Sequence, residues 1–415
     1  MKRISLNLQI LIAAVFGLAV GLLFQHWGTE DSTVQSGLYV AGLIGTLFID
    51  LLKMILIPLV FCSITTGIAN LRQHQQMHRV WLFTLLFFMG SMLLAILLGM
   101  SASIYFKPGA DMQIHMFADA MQSFQAKQLP LSDFLAQFLH SLFMNPFQAL
   151  SQGNVLAVVM FALLLGIALV IGGDRFKHVR TILQEALDVS MLIVGWIMRL
   201  APLGIMALLI QLVATQNISM LTTLAKFVAV VAGTTIFHGI VVLPLLLYLF
   251  TRRSPLWFWR GAREALMTAF ATSSSAATLP ITMRCTIGHL KVKPEIAGFV
   301  TPLGATINMD GTALYEAAAA LFIANLVGVE LSLIQQLVVC FTAMIAAMGA
   351  PGIPSAGMVT MVLVLQSVGL PAEAIAILLP IDRLLDTLRT SVNVEGDMVA
   401  SVVVQKLVSA GHKMH

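Results

Sequence analysis

The chain has 415 residues, of which 59% are hydrophobic and 10% charged, with a formal net charge of +4. Charged residues run at well under half the share usual in a soluble domain, which excludes water as the solvent of most of this chain. The small basic excess carries no argument for nucleic acid, because membrane proteins keep extra Lys and Arg on one side.

Apolar runs of about 20 residues, the length that crosses a bilayer, recur from Leu8 to the C-terminal end. The expected fold class is therefore an all-α polytopic membrane protein. The first run, in MKRISLNLQILIAAVFGLAVGLLFQHWG, has the basic flank of a signal peptide but no convincing small-x-small cleavage site. It reads as the first spanning helix, with its N-terminus inside. Basic connections follow at Arg72 to Arg79, Arg175 to Arg180, Arg252 to Arg263 and Arg284 to Lys293, with Lys406 and Lys413 near the end. Connections around Glu30, from Lys107 to Asp133, around Gln216, and around Glu330 and Glu373 are poor in basic residues. The positive-inside rule assigns the first set, and both termini, to the cytoplasm. Cys62, Cys285 and Cys340 lie in or beside apolar runs without CxxC spacing. They read as packing residues, with no disulfide framework or zinc site expected.

The alternation breaks from about Ala265 to Thr286, where both flanks are basic. A hairpin that enters and returns keeps both flanks inside, and TSSSAATLP supplies the mid-segment break. Ser273, Ser274 and Ser275 at that break resemble nucleophile candidates, but no histidine is expected at membrane depth nearby to activate them. Their hydroxyls and freed amides are better suited to holding a carboxylate.

Next comes GATINMDGT, residues 304–312, followed by Tyr315 and Glu316. Glycines on either side of Asn308-Met309-Asp310 make local unwinding cheap, and unwound carbonyls are hard oxygen ligands. With Asp310 and Asp397 they suit a hard cation. Glu316 lies one turn beyond Thr312 in the apolar stretch EAAAALFIA. A desolvated carboxyl favours its neutral form, which makes Glu316 a candidate proton carrier; the alternative is a neutral glutamic acid hydrogen-bonded in the core.

The segment from about Ile334 to Val368 repeats the hairpin pattern from the opposite side, with both flanks basic-poor and GAPGIPSAG at its middle. Non-helical backbone survives at membrane depth only where protein or a wet cavity satisfies it. Two opposed hairpins therefore suggest a central polar cavity and an inverted internal repeat.

The last apolar segment carries RTSVNVEGD, residues 389–397. At helical spacing Asp382, Asp386, Arg389, Thr390, Asn393 and Asp397 share a stripe roughly 100° wide, with Glu395 on the opposite side. Ionisable groups at membrane depth point to function. The structural alternative is a salt bridge of Arg389 with Asp386 or Asp382, and Arg383 is assigned to such a bridge rather than to a binding site.

Four motifs in order, SSSAATLP, NMDGTALYE, GAPGIPSAG and DxxxDxxRTxxNxxGD, closely resemble the dicarboxylate/amino acid:cation symporter family, which includes glutamate and aspartate transporters. The resemblance runs from the apolar N-terminus to about Lys406. It implies a homotrimer in a bacterial inner membrane. Each protomer would have eight spanning helices and two re-entrant hairpins, with the second hairpin as outer gate of an elevator movement. Residues 1–254 would be mainly scaffold, with the third and sixth helices joining the transport part, and residues 255–408 would form the transport core. By the same resemblance Arg389 holds the substrate side-chain carboxylate and Asp386 its amino group. Thr312, Thr390 and Asn393 take the remaining polar atoms, while Ser274, Ser275 and the backbone near Gly352 close over it. Gly304, Asn308, Asn393 and Asp397 match one sodium site. Thr306 with the backbone of Ala347, Met348 and Ala350 matches a second. Asp310 belongs to a deep third site whose tyrosine and two hydroxyl residues align here with Phe88, Ser91 and Met92. Ala276 and Ala347 stand where many relatives have serine, and Pro351 stiffens the second hairpin.

The function expected is symport of glutamate or aspartate driven by sodium and/or proton gradients, with C4-dicarboxylate symport as the alternative. No cofactor and no enzyme activity are expected. An intramembrane aspartyl protease built on Asp310 and Asp397 fits poorly, because Asp397 sits in Glu-Gly-Asp and the hairpins go unexplained. A channel would need rings of like charge, which the mixed-sign stripe does not supply.

Overall fold

The computed structural model describes residues 6–28, 30–69, 78–110, 143–152, 155–215, 219–350, 352 and 354–411. Among these residues the regular structure is entirely helical. The expected connections around Arg72, from Asp111 to Asp133 and around Gln216, together with Pro351 and Lys413, lie outside the described residues.

Helix α1 covers Leu6–Trp27 and α2 covers Ser32–Ala69. Asp31 starts α2, its Oδ1 accepting the amides of Thr33 at 2.8 Å and Val34 at 3.2 Å, an N-terminal cap. There follow α3 (His78–Phe106), α4 (Pro146–Gln152), α5 (Val155–Gly172) and α6 (Lys177–Thr215). Then α7 (Ser219–Phe237) runs through a π turn, His238–Val242, into α8 (Leu243–Thr251). Such turns insert one residue into the helical ladder and frequently mark functional positions.

Three described helices are long and apolar enough to cross a membrane: Leu8–Trp27, Arg79–Phe106 and Thr222–Thr251, with mean hydropathies of 2.2, 2.4 and 2.1. A pair bent by 49°, Met160–Ile197 with Arg199–Gln211, makes a fourth if it counts as one span. The later helices are shorter or carry charge, because they are interrupted where polar side chains converge.

The first hairpin is α9 (Pro255–Thr272) and α10 (Ser275–Arg284), with α10 ending in a second π turn, Cys285–His289. Its tip is Ser273, in the left-handed region at φ 50°, then extended Ser274, whose Oγ caps α10 by accepting the Ala277 amide at 3.1 Å. Helices α11 (Pro294–Ile307) and α12 (Asp310–Leu326) are two halves of one path, broken at Asn308 (φ −99°, ψ 93°) and Met309 (φ −124°, ψ 63°). The unwinding expected from the flanking glycines is present. The second hairpin is α13 (Leu333–Gly349) and α14 (Ala356–Ser367), broken at extended Ala350 and left-handed Ser355. The tips meet: the carbonyl of Gly352 accepts Ser274 Oγ at 2.6 Å and the Ala276 amide at 3.0 Å. Each hairpin thus satisfies backbone the other leaves open, as a dry environment requires.

The last helix, α15 (Ile375–Gly411), packs against α3, α7, α8, α9, α11 and α12, whereas α1, α2, α5 and α6 pack mainly on one another. Phe227 of α7 stacks on Phe322 of α12 with centroids 4.3 Å apart. Helices α12 and α15 cross closely at Gly311, where a Cβ would lie 2.7 Å from both the Cα and the carbonyl oxygen of Arg389. Backbone cannot move aside there as a side chain could. Gly311→Ala is therefore expected to separate α12 from α15 and destabilise the fold by about 1–3 kcal/mol. A lowered melting temperature in detergent checks this, and an unchanged one contradicts the crossing.

Candidate functional site

The register of α15 places the site. Asp382, Asp386, Arg389, Thr390, Asn393 and Asp397 are each at most 5% exposed. Glu395, also buried, faces elsewhere and accepts the indole N–H of Trp259 in α9 at 2.9 Å.

Arg389 has no exposure at all. Its Nη2 donates to Asp382 Oδ1 at 2.6 Å and Asp386 Oδ1 at 2.9 Å, and its guanidinium carbon lies 4.0 Å from the ring centroid of Tyr315 in α12. The salt bridge named as the structural alternative is thus made, and with both aspartates. Among the described residues Nε and Nη1 have no hydrogen-bond partner. A guanidinium carries five N–H donors in a fixed fork, so an anion-seeking edge is left over. The start of α14 covers that edge, since a Cβ on Gly357 would lie 3.8 Å from Nη1.

Asp386 links α15 to the second hairpin. Its Oδ2 accepts the Ser355 amide at 2.8 Å and Arg383 Nη1 at 3.3 Å. Arg383 therefore belongs to the bridge, as expected. Asn393 spans to α12, accepting the Gly311 amide at 2.8 Å and donating to Thr312 Oγ1 at 3.2 Å. Ser274, Ser275 and Gly352 sit at the joined tips, with both serines buried. A cleft lined by Phe48, Ile205, Ser355, Asp382 and Arg383 opens beside the cluster.

A second polar group surrounds the break before α12. Asn308 Nδ2 donates to Asp397 Oδ1 at 3.1 Å, and Gly304 lies so close to the Asp397 carboxylate that no side chain fits. Ser91 Oγ donates to Asp310 Oδ1 at 3.0 Å and sits 3.4 Å from Asn308 Oδ1. Asn393 is turned toward Gly311 and Thr312 rather than to this group. Convergent carboxylate and amide oxygens are ligands for a hard cation. Thr306 is exposed and donates to Leu303 O at 2.9 Å. Its helix packs on α13, which carries Ala347, Met348 and Ala350, with no hydrogen bond between the two segments among the described residues. Glu316 is fully buried; Thr360 of α14 donates to its Oε1, and its Oε2 has no partner.

Two participants escaped the sequence reading. Thr360 is a hydroxyl in an apolar helix with no motif around it. His238 lies in the first π turn, within the membrane-length run Thr222–Thr251, with Nε2 3.1 Å from Asp310 Oδ2 and neither residue exposed. His238 engages Asp310 and not Ser273 to Ser275, so it is not the activating histidine that a serine nucleophile would need. The signal was there: one histidine inside GTTIFHGIVVLP.

A family model described as the sodium:dicarboxylate symporter family matches residues 6–407. Excitatory amino acid transporter 3 of Homo sapiens is 33% identical over 458 residues, covering 98% of this chain and 87% of the relative. Neutral amino acid transporter B(0) of Mus musculus is 33% identical over 454 residues, covering 98% of this chain and 82% of the relative.

Removing one partner of a buried charge group costs about 3–5 kcal/mol, whereas an exposed pair is worth about 0–1 kcal/mol. Asp382→Asn is thus expected to lower the melting temperature markedly. Asp174→Asn, at a carboxylate that is almost wholly exposed and 3.9 Å from Arg180, should leave it nearly unchanged. Equal shifts in the two variants would contradict this account of Arg389.

Proposed function

The chain belongs to the sodium:dicarboxylate symporter family, and from that premise we propose that it carries glutamate or aspartate inward, driven by sodium and protons together. It is a membrane symporter and not an enzyme.

The observation that carries the acidic substrate is Arg389, wholly buried with Nε and Nη1 unpartnered. A substrate side-chain carboxylate completes the fork. A neutral side chain would leave those donors unsatisfied, which is costly in a dry site. Asp386 receives the substrate ammonium; Thr312, Thr390 and Asn393 take its remaining polar atoms, and Ser274, Ser275 and Gly352 close the hairpin tips over it. Both Asp386 oxygens are engaged in this conformation, by Arg389, Ser355 and Arg383. That engagement favours a second reading, a plain C4-dicarboxylate that needs no ammonium acceptor.

Sodium is cargo as well as driving ion. One ion is assigned to Gly304, Asn308, Asn393 and Asp397, and a second to Thr306 with the backbone of Ala347, Met348 and Ala350. At the third position Asp310 has one oxygen on Ser91 and the other on His238, beside fully buried Phe88 and Met92, so a third ion would have to displace a donor. Glu316, with its unpartnered Oε2, is the proton carrier. We further assign residues 1–254 mainly to a scaffold that makes a homotrimer, and residues 255–408 to a moving transport core. Eight spans and two re-entrant hairpins then work as an elevator in a bacterial inner membrane, with both termini cytoplasmic.

In proteoliposomes Arg389→Cys is expected to abolish uptake of glutamate and aspartate, a loss on the order of 100-fold or more in apparent affinity, given several kcal/mol for an unpaired buried carboxylate. Unchanged affinity would remove Arg389 from the site, and parent uptake of succinate matching that of aspartate would favour the second reading. An acid-outside gradient is expected to stimulate the parent, while Glu316→Gln should ignore pH and still exchange substrate. Parent uptake that follows sodium and ignores pH would strip Glu316 of its role.

A further inference from the structure

At the base of the first hairpin lies a donor set different from the oxygen-rich groups above. Glu264 on α9, with Cys285 and His289 from the π turn that ends α10, place a carboxylate oxygen, a thiol sulfur and an imidazole nitrogen within 4.8 Å of one another. We propose that these three residues bind a Zn²⁺ ion that ties the two arms of the hairpin together.

The local structure explains the convergence. Cys285 and His289 are four residues apart, a spacing that puts two side chains on one face of a helical turn. The opposing face of α9 offers Glu264 and, one turn earlier, Gly261. A Cβ on Gly261 would lie 3.4 Å from the His289 Cβ, so the glycine lets the turn approach the carboxylate. The three ligands are graded in depth: Cys285 is wholly buried, whereas Glu264 and His289 are exposed. The sulfur forms the floor and the other two a rim that an aqueous ion can reach.

Donor chemistry selects the metal. Thiolate and imidazole ligands favour Zn²⁺ and disfavour sodium, magnesium or calcium, so this site does not compete for the transported cation. Zinc bonds of about 2.0–2.3 Å require the three atoms to draw together by side-chain rotation, and three protein ligands leave a fourth position for water. Binding transfers the Cys285 thiol proton to solvent as the sulfur takes the metal. It also displaces Arg284, whose guanidinium pairs with Glu264, both side chains being half exposed. Such an exposed pair offers little resistance. CxxC spacing could not reveal the site, because its carboxylate comes from the other arm.

The test is equilibrium dialysis of the purified full-length protein against Zn²⁺, with Co²⁺ as a spectroscopic probe for a thiolate ligand. One zinc per chain and a cobalt–thiolate charge-transfer band are expected. Cys285→Ser and His289→Ala should each weaken binding at least about tenfold, no less than the loss of an outer-shell group. Cys340→Ser, a half-buried cysteine elsewhere, should bind as the parent does. No stoichiometric zinc in the parent, or equal affinity in all three variants, would overturn the proposal. Because binding is measured without transport, its failure would leave the symport reading untouched, and the reverse also holds.

Discussion

A guanidinium with no access to solvent constrains everything around it. Arg389 must be compensated within the protein, and the compensation comes from three directions. Asp382 and Asp386 supply charge from its own helix, and Tyr315 supplies a ring face from α12. The backbone of Gly311 supplies proximity, bringing α12 to van der Waals contact with α15. Two anions for one cation leave a local negative excess, and Arg383 and the Ser355 amide bear on the same Asp386. The second hairpin is thereby joined to the charge cluster: if Asp386 turned toward a ligand, it would release Ser355.

Broken backbone poses the second constraint, and here the parts satisfy one another. Gly352 accepts two bonds from the first hairpin, and a Cβ on it would lie 2.7 Å from the carbonyl of Ala305 in α11. The joined tips therefore lie against the last turn of α11, just before the break at Asn308, so each piece of non-helical backbone has protein beside it, as such backbone needs at membrane depth. Gly304 and Gly396 allow the side chains of Asp397, Asn308 and Asp310 to occupy space that any Cβ would fill.

Asp310 connects this region to helices otherwise remote in sequence. Ser91 of α3 and His238 of the first π turn each take one of its oxygens. The π turn matters geometrically, since one extra residue in the ladder re-aims the side chains that follow. Next to it Glu395, on the other face of α15, meets Trp259 and packs beside Gly239. The last helix is thus buried on both of its polar faces, which explains how a segment so rich in charge belongs to the interior.

Much of this was legible in the chain itself. Helical runs follow from apolar length, the hairpin breaks from local Ser, Gly and Pro, and the polar stripe of α15 from its 3.6-residue period; all three are properties of neighbours in sequence. Only the tertiary structure decided which partners meet. Arg389 could have taken one aspartate or the other and takes both. Glu395 finds an indole 136 residues away, His238 an aspartate 72 residues away, and Glu316 a threonine 44 residues away. Periodicity states which way a side chain points from its own helix, but the identity of the facing group depends on how separate helices pack. That packing is set by buried contacts summed over the whole chain, which no single motif contains.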